Sequence, residues 1–145
     1  MSRTNKARIF LTSIIDNLSD TGLPSGERET SESTARGTVI SGTRGAVISF
    51  SEQSEGGEVK TKIEILSGGI RVCRHGAIES DMLFSEGVAH RSVYSIPPYS
   101  FDASVFTRKI RGSIEEGDKL EIFYDMEIGG AKKSVKMSLV CDVEQ

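Results

Sequence analysis

The feature that most constrains this chain is a two-residue alternation of apolar and polar side chains. In residues 119–128 every second side chain, from Leu120 to Ile128, is apolar or aromatic, and most of the intervening ones are charged. Such alternation is typical of a β-strand with one buried and one wet face. Gly129 and Gly130 follow, and residues 133–142 alternate again. Because paired glycines accept the positive φ angles of tight hairpin turns, this stretch predicts a β-hairpin.

The same pattern predicts strands along most of the chain, separated by turns that contain glycine or proline. Further predicted strands cover residues 38–41, 46–52, 59–66, 70–75, 78–84, 88–96 and 101–110. The polar residues 27–36 predict an exposed or edge strand, and residues 18–26 predict a loop. At most one helical turn is expected, near residues 14–18. Pro97 and Pro98 cannot donate to a ladder, so they predict a corner.

These strands predict one all-β domain over residues 1–145. A meander of this kind closes into a barrel or folds into a sandwich. Closure removes unpaired strand edges, which favours the barrel. We therefore expect a single antiparallel β-barrel of eight to ten strands, joined mostly by hairpins.

Composition argues against several classes of partner. The 145 residues carry a net charge of −3, with Lys and Arg scattered among a slight majority of acids, so nucleic acid is not an expected partner. No segment approaches the roughly 20 apolar residues that cross a bilayer, and no secretory signal is recognisable, so we expect a cytoplasmic protein without a membrane partner. Cys73 and Cys141 lie in strand-like alternation, which predicts two buried reduced thiols.

No motif predicts a catalytic or metal site. Cys73 and His75 point the same way on a strand, but a zinc site needs about four ligands and a second pair is missing. No Gly-x-Ser-x-Gly elbow and no phosphate-binding Gly-Lys-Ser/Thr loop is present. We therefore predict no catalytic residue, no metal and no cofactor.

The most informative polar residues lie on otherwise apolar faces. Arg74 is in phase with Ile70 and Val72, and Thr107 and Tyr124 lie likewise on the apolar sides of their strands. A buried arginine is destabilising unless it is paired, so an inward Arg74 would need a partner or a bound anion. The alternative is that Arg74 ends its strand and extends to water.

Several strand ends, taken in order, resemble the YwiB-like family of uncharacterised bacterial proteins. The resemblance rests on residues 70–76, the step from Phe84 to Gly87, Tyr94, Thr107 with Ile110, and Gly117 leading into residues 120–126. It implies a cytosolic bacterial barrel of the calycin-like (lipocalin-type) kind, and it implies no known reaction. The positions that match the family's recurring ones are Arg74, Gly76, Phe84, Gly87, Tyr94, Thr107 and Tyr124.

Three functions are compatible with these observations. The first is a barrel that binds a small molecule in its lumen, with Arg74, His75, Tyr94, Thr107 and Tyr124 as candidate ligand-binding residues. The second is a protein-interaction or homodimeric assembly module, which would use a strand edge or the outward Phe106 and Phe123. The third is an enzyme that uses Arg74, His75 or His90 with Asp125 or Glu79.

Overall fold

The fold is a closed antiparallel barrel of ten strands, seen in a computed structural model that describes residues 3–115 and 117–144. The strands are β1 (Arg3–Leu18), β2 (Pro24–Gly42), β3 (Gly45–Ser54), β4 (Gly57–Leu66), β5 (Gly69–Gly76), β6 (Glu79–Phe84), β7 (Ala89–Ile96), β8 (Tyr99–Arg111), β9 (Leu120–Ile128) and β10 (Ala131–Val143). Each strand pairs with its neighbours in sequence, and β1 closes the barrel against β10. In the described part of the chain, no helix is long and apolar enough to span a membrane.

The hairpin signals of the sequence are confirmed. Gly129 and Gly130 turn the chain between β9 and β10 with φ angles of 54° and 85°. Both are positive, which side chains other than glycine rarely allow. Pro97 and Pro98 form the turn between β7 and β8, as the missing amide hydrogens predict.

Two local predictions are wrong at the first hairpin. Residues 14–18 form no helical turn but belong to β1, and the expected loop over residues 18–26 is shorter, because β2 already begins at Pro24. The polar residues 27–36 are a strand, as predicted. Tertiary pairing of β1 with both β2 and β10 supplies the hydrogen bonds that local sequence preference does not reveal.

The apolar faces of the strands fill one half of the barrel. Phe84, Ile9, Ile48, Ile63 and Val105 are at most 2% exposed and lie in one contiguous core. Close packing of this kind leaves no room for a ligand at that end. The packed half contains the turns β2–β3 and β4–β5, and the other half contains the turns β1–β2, β3–β4, β5–β6, β7–β8 and β9–β10.

The wall is incomplete at β2. This strand pairs with β1 as far as Pro24, but it pairs with β3 only from Gly37 to Gly42. At Gly37 a Cβ atom would overlap the carbonyl oxygen of Ser49 and approach the side chain of Ile9 to 2.8 Å. Glycine therefore allows the close approach at the point where β2 leaves β3.

Candidate functional site

The half of the barrel opposite the packed core contains a cavity of ≈490 Å³. Its wall is built from inward-facing residues of β1–β7, β9 and β10. The apolar part comprises Leu11, Ile15, Val59, Ile78, Met82, Ile96, Met126, Ile128, Val135 and Met137. Ligand cavities commonly have volumes of about 300–1,000 Å³ and a mostly apolar lining with few polar groups. The open half therefore has the size and lining of a small-molecule site.

The cavity wall carries two cationic side chains and one anionic side chain. Arg74 and Lys133 are positively charged and Glu52 is negatively charged, so the wall has an excess of one positive charge. No carboxylate of the described residues lies within 4.0 Å of the Arg74 guanidinium. Arg74 is half-buried and its side chain lines the cavity, so of the two interpretations the structure supports the inward one.

Glu52 holds the cavity wall together where β2 and β3 separate. Its Oε2 accepts a hydrogen bond of 2.8 Å from the Ser33 hydroxyl, and its Oε1 accepts one of 3.3 Å from the Thr61 hydroxyl. Ser33 is on β2, Glu52 on β3 and Thr61 on β4. The carboxylate thus bridges three strands and uses both oxygens within the protein.

Tyr124 lies at the boundary between the cavity and the packed core. Its ring centre is 4.7 Å from that of Phe84, in a tilted arrangement typical of aromatic pairs. Burial raises the pKa of its phenol to about 12, against the lowering effect of the positive charge on Arg74. The phenol is therefore neutral at physiological pH and can donate a hydrogen bond. Tyr94 on β7 lines the same cavity.

Thr107 is an inward residue but does not line the cavity. It is 0% exposed, it lies opposite Tyr124 in the β8–β9 register, and its hydroxyl has no hydrogen-bond partner. The buried polar atoms Ser80 Oγ, Ser92 Oγ and His90 Nε2 also have no hydrogen-bond partner. Together with the Thr107 hydroxyl, these atoms form a polar strip on the inner wall of β6–β8.

His75 is not part of this site. It is on the outer face, where its side chain is 81% exposed and its Nδ1 lies 2.8 Å from Glu79 Oε1. The backbone N–H of Gly76 and the side chain of His75 lower the pKa of Glu79. Successive side chains of a strand alternate between faces, which separates His75 from the neighbouring Arg74. The structure thus brings Arg74, Tyr94 and Tyr124 to one cavity and places His75 outside it.

The residues weighed for catalysis do not converge in the cavity. Arg74 and His90 belong to the inner wall, whereas Asp125 faces outward and its carboxylate oxygen lies 3.3 Å from Arg108 Nε. His75 and Glu79 meet, but only on the outer surface. Among the described residues, no three His, Cys, Asp or Glu side chains are grouped so that they could hold a metal ion.

The two cysteines differ, which corrects the prediction that both are buried. Cys141 is buried in the core, and burial raises the pKa of its thiol to about 11. Cys73 is only half-buried on the outer face, with its Sγ 3.5 Å from Asp81 Oδ1. Partial burial, followed by the Asp81 charge, raises the pKa of this thiol. Both cysteines are free.

Phe106 and Phe123 face away from the lumen, as expected, but only Phe106 is well exposed. The Phe123 ring lies beneath two cations, with Arg111 Cζ at 5.0 Å and Lys136 Nζ at 5.6 Å from its centre. Such cation–π contacts cover the ring with charged groups. Phe123 is therefore not an open apolar surface.

Sequence reasoning missed two charged residues of the cavity. Glu52 is in phase with the buried Ile48 and Phe50, and Lys133 is in phase with Val135 and Met137. The period-two pattern could have identified both residues. They were overlooked because a charged residue at a strand end is usually assigned to solvent.

Comparison with known proteins agrees with the barrel. The sequence model of a family described as a domain of unknown function, DUF1934, matches residues 17–139. The chain is 28% identical over 83 residues to the uncharacterised beta-barrel protein YwiB of Bacillus subtilis (strain 168). That alignment covers 57% of this chain and 58% of YwiB. The crystal structure of YwiB superposes with a TM-score of 0.80 at 20% identity, over 98% of this chain and 94% of the other.

Proposed function

This chain belongs to the DUF1934 family of domains of unknown function, and we propose that it binds a small amphipathic organic anion in the open half of its barrel. The observation that carries the proposal is Arg74, an inward cation on the wall of a ≈490 Å³ cavity without a carboxylate partner among the described residues. No reaction is part of the proposal.

The charge balance of the cavity favours a negatively charged ligand. The Glu52 carboxylate accepts hydrogen bonds from Ser33 and Thr61, which engages both of its oxygens. Arg74 and Lys133 then leave a net positive charge in the wall. A guanidinium on the wall of a mostly apolar cavity is stabilised by an anion that can accept two parallel hydrogen bonds, such as a carboxylate or a sulfonate.

The remaining wall favours a ligand with an apolar body. Most of the other lining side chains are aliphatic or thioether groups, and Met82, Met126 and Met137 are three of them. Methionine adapts its shape to different apolar ligands. The neutral phenol of Tyr124 supplies a donor beside Arg74. A ligand with one acidic end and one hydrocarbon or aromatic end satisfies both parts of the wall.

The test compares an anionic and a neutral fluorescent probe. We expect 8-anilinonaphthalene-1-sulfonate and uncharged N-phenyl-1-naphthylamine both to bind the wild-type protein with increased emission. Arg74→Gln should weaken binding of the anionic probe about 10–100-fold, because a hydrogen bond to a charged group contributes about 1.5–3 kcal/mol. Binding of the neutral probe should change less than twofold. Fluorescence titration at constant ionic strength measures both affinities.

Arg91→Gln is the matched control. Arg91 is an exposed residue of β7 and is not part of the cavity wall, so this variant should bind both probes as the wild type does. Equal affinity of wild type and Arg74→Gln for the anionic probe would contradict the proposal, as would failure of the wild type to bind either probe. Native mass spectrometry of the purified wild type would then show, as excess mass, whether a natural ligand is carried.

A further inference from the structure

The N-terminal part of β2 is a strand with one unpaired edge. Residues 24–36 extend past the last β2–β3 pair, Gly37 with Phe50. Their other edge is paired with β1 over residues 28–36 and again at Pro24, with an irregularity in between. No described strand pairs with this edge, and from Pro24 to Glu32 the side chains on both faces are exposed. The backbone N–H and C=O groups of an unpaired edge can extend a sheet with another strand.

We propose that this edge pairs antiparallel with the same edge of a second copy of the chain, with Thr30 at the two-fold axis. In a continuous sheet, inward residues of one copy must lie beside inward residues of the other, so the axis has to pass through a residue position. With Thr30 at the axis, Arg28 of each copy lies opposite Glu32 of the other. The register therefore creates two opposite-charge pairs and a central Thr–Thr pair, both of which are favourable across strands.

The alternative registers are less favourable. An axis at Glu29 places that carboxylate opposite itself, and an axis at Glu32 does the same while setting Arg28 opposite Arg36. An axis at Ser31 creates no like-charge pair, but it also leaves Arg28 opposite the neutral Thr34. Charged side chains on an edge commonly prevent association because they repel. Here their signs make the edge complementary to itself in the Thr30 register. An axis at Thr34 would also set Glu32 opposite Arg36, but it pairs only residues 32–36 before β2 joins β3 at Gly37.

The known contacts of these residues are compatible with the pairing. Arg28 donates from Nε to Asp16 Oδ1 (2.7 Å) and from Nη2 to Asp16 Oδ2 (3.2 Å), across the sheet to β1 of its own barrel, which leaves Nη1 for Glu32 of the second copy. Glu32 has no ion pair among the described residues. A single strand edge buries less area than a standard interface of about 1,600 Å². We therefore expect a dissociation constant of the dimer on the order of 10–100 µM.

Sedimentation equilibrium between about 5 and 500 µM tests the proposal, because the wild type should shift from monomer to dimer over this range. Glu32→Arg and Arg28→Glu each turn both cross-strand pairs into like-charge pairs, and each should weaken dimerisation about tenfold. An equimolar mixture of the two variants restores opposite charges in both pairs, so the mixture should dimerise as the wild type does. Arg44→Glu and Glu55→Arg reverse charges in two other turns and should leave dimerisation unchanged.

A covalent test does not depend on charge. Antiparallel neighbours have Cα atoms about 4.5–5.5 Å apart, within the range that a disulfide spans. Thr30→Cys should therefore form a disulfide-linked dimer on mild oxidation, whereas Thr43→Cys, in the β2–β3 turn, should not. A wild type that is monomeric up to 500 µM, or variants and mixture that all dimerise equally, would overturn the proposal. Both tests are independent of probe binding in the cavity.

Discussion

The two halves of the barrel are built from the same strands, but one half is filled by side chains and the other encloses a cavity. In the packed half, Phe84 and its aliphatic neighbours interdigitate and exclude solvent. In the open half, the inward positions of these strands include serines, tyrosines and three charged residues around a cavity. A strand pattern thus sets which side chains point inward, and the size and polarity of those side chains decide whether the interior is filled.

Tyr124 joins the two halves. Its ring packs on Phe84, and its phenol is close enough to Arg74 for the positive charge to affect its pKa. A rigid packed half gives the cavity a fixed floor, because the ring cannot move without opening the core. The packed half therefore supplies stability, and the open half is where the proposed ligand would bind.

Truncating one side chain in each half gives the largest difference. Phe84→Ala should lower the free energy of unfolding by about 3–5 kcal/mol, because it leaves a void among fully buried neighbours. Met126→Ala should lower it by less than about 1.5 kcal/mol, because Met126 already borders empty space. Urea denaturation followed by circular dichroism measures both values. Similar losses for the two variants would show that the open half is as tightly packed as the other.

Alkaline pH should destabilise the barrel through two buried groups, Tyr124 at the boundary between the halves and Cys141 in the packed core. The pKa is raised from 10.0 to about 12 for Tyr124 and from 9.0 to about 11 for Cys141. The folded state therefore holds each proton more tightly than the unfolded state. The resulting stabilisation is complete below the unfolded pKa and is lost as pH rises through the folded pKa. We expect a loss on the order of 2–3 kcal/mol for Tyr124 and a smaller loss for Cys141.

Two variants separate these contributions. Cys141→Val should flatten the pH dependence between about 9 and 11, and Tyr124→Phe should flatten it between about 10 and 12. Urea denaturation at successive pH values gives the slopes. If stability did not decrease between pH 9 and 12 in the wild type, burial would not shift either group as described.

The smallest expected effect comes from two inward threonines. Thr107→Val replaces a buried hydroxyl that has no partner, so it should raise the free energy of unfolding by about 1 kcal/mol. Thr61→Val removes a donor to Glu52 and should lower it by about 1–2 kcal/mol. Thermal and urea unfolding of both variants test this difference in sign. Destabilisation by Thr107→Val would mean that a bound water already satisfies its hydroxyl.

The fold was largely predictable because its signals are local. Alternation located the strands, and Gly129 with Gly130 located a hairpin, since both depend only on neighbouring residues. The site was predictable in part. The inward direction of Arg74 and Tyr124 follows from strand phase, but whether a cavity lies beside them depends on side chains from strands far apart in sequence. His75 was assigned wrongly to the lumen, although the same phase places it outside.

The sequence by itself predicted a single antiparallel barrel of eight to ten strands, and it determined which face of most strands is apolar. Only the tertiary structure decided that β2 extends beyond its pairing with β3 and so has an unpaired edge. It also decided that Glu52 bridges three strands at that point. The physical reason is the stagger of strands in a closed barrel. Alternation fixes the direction of each side chain, whereas stagger fixes which strands lie side by side at a given height, and stagger is set only when the sheet closes.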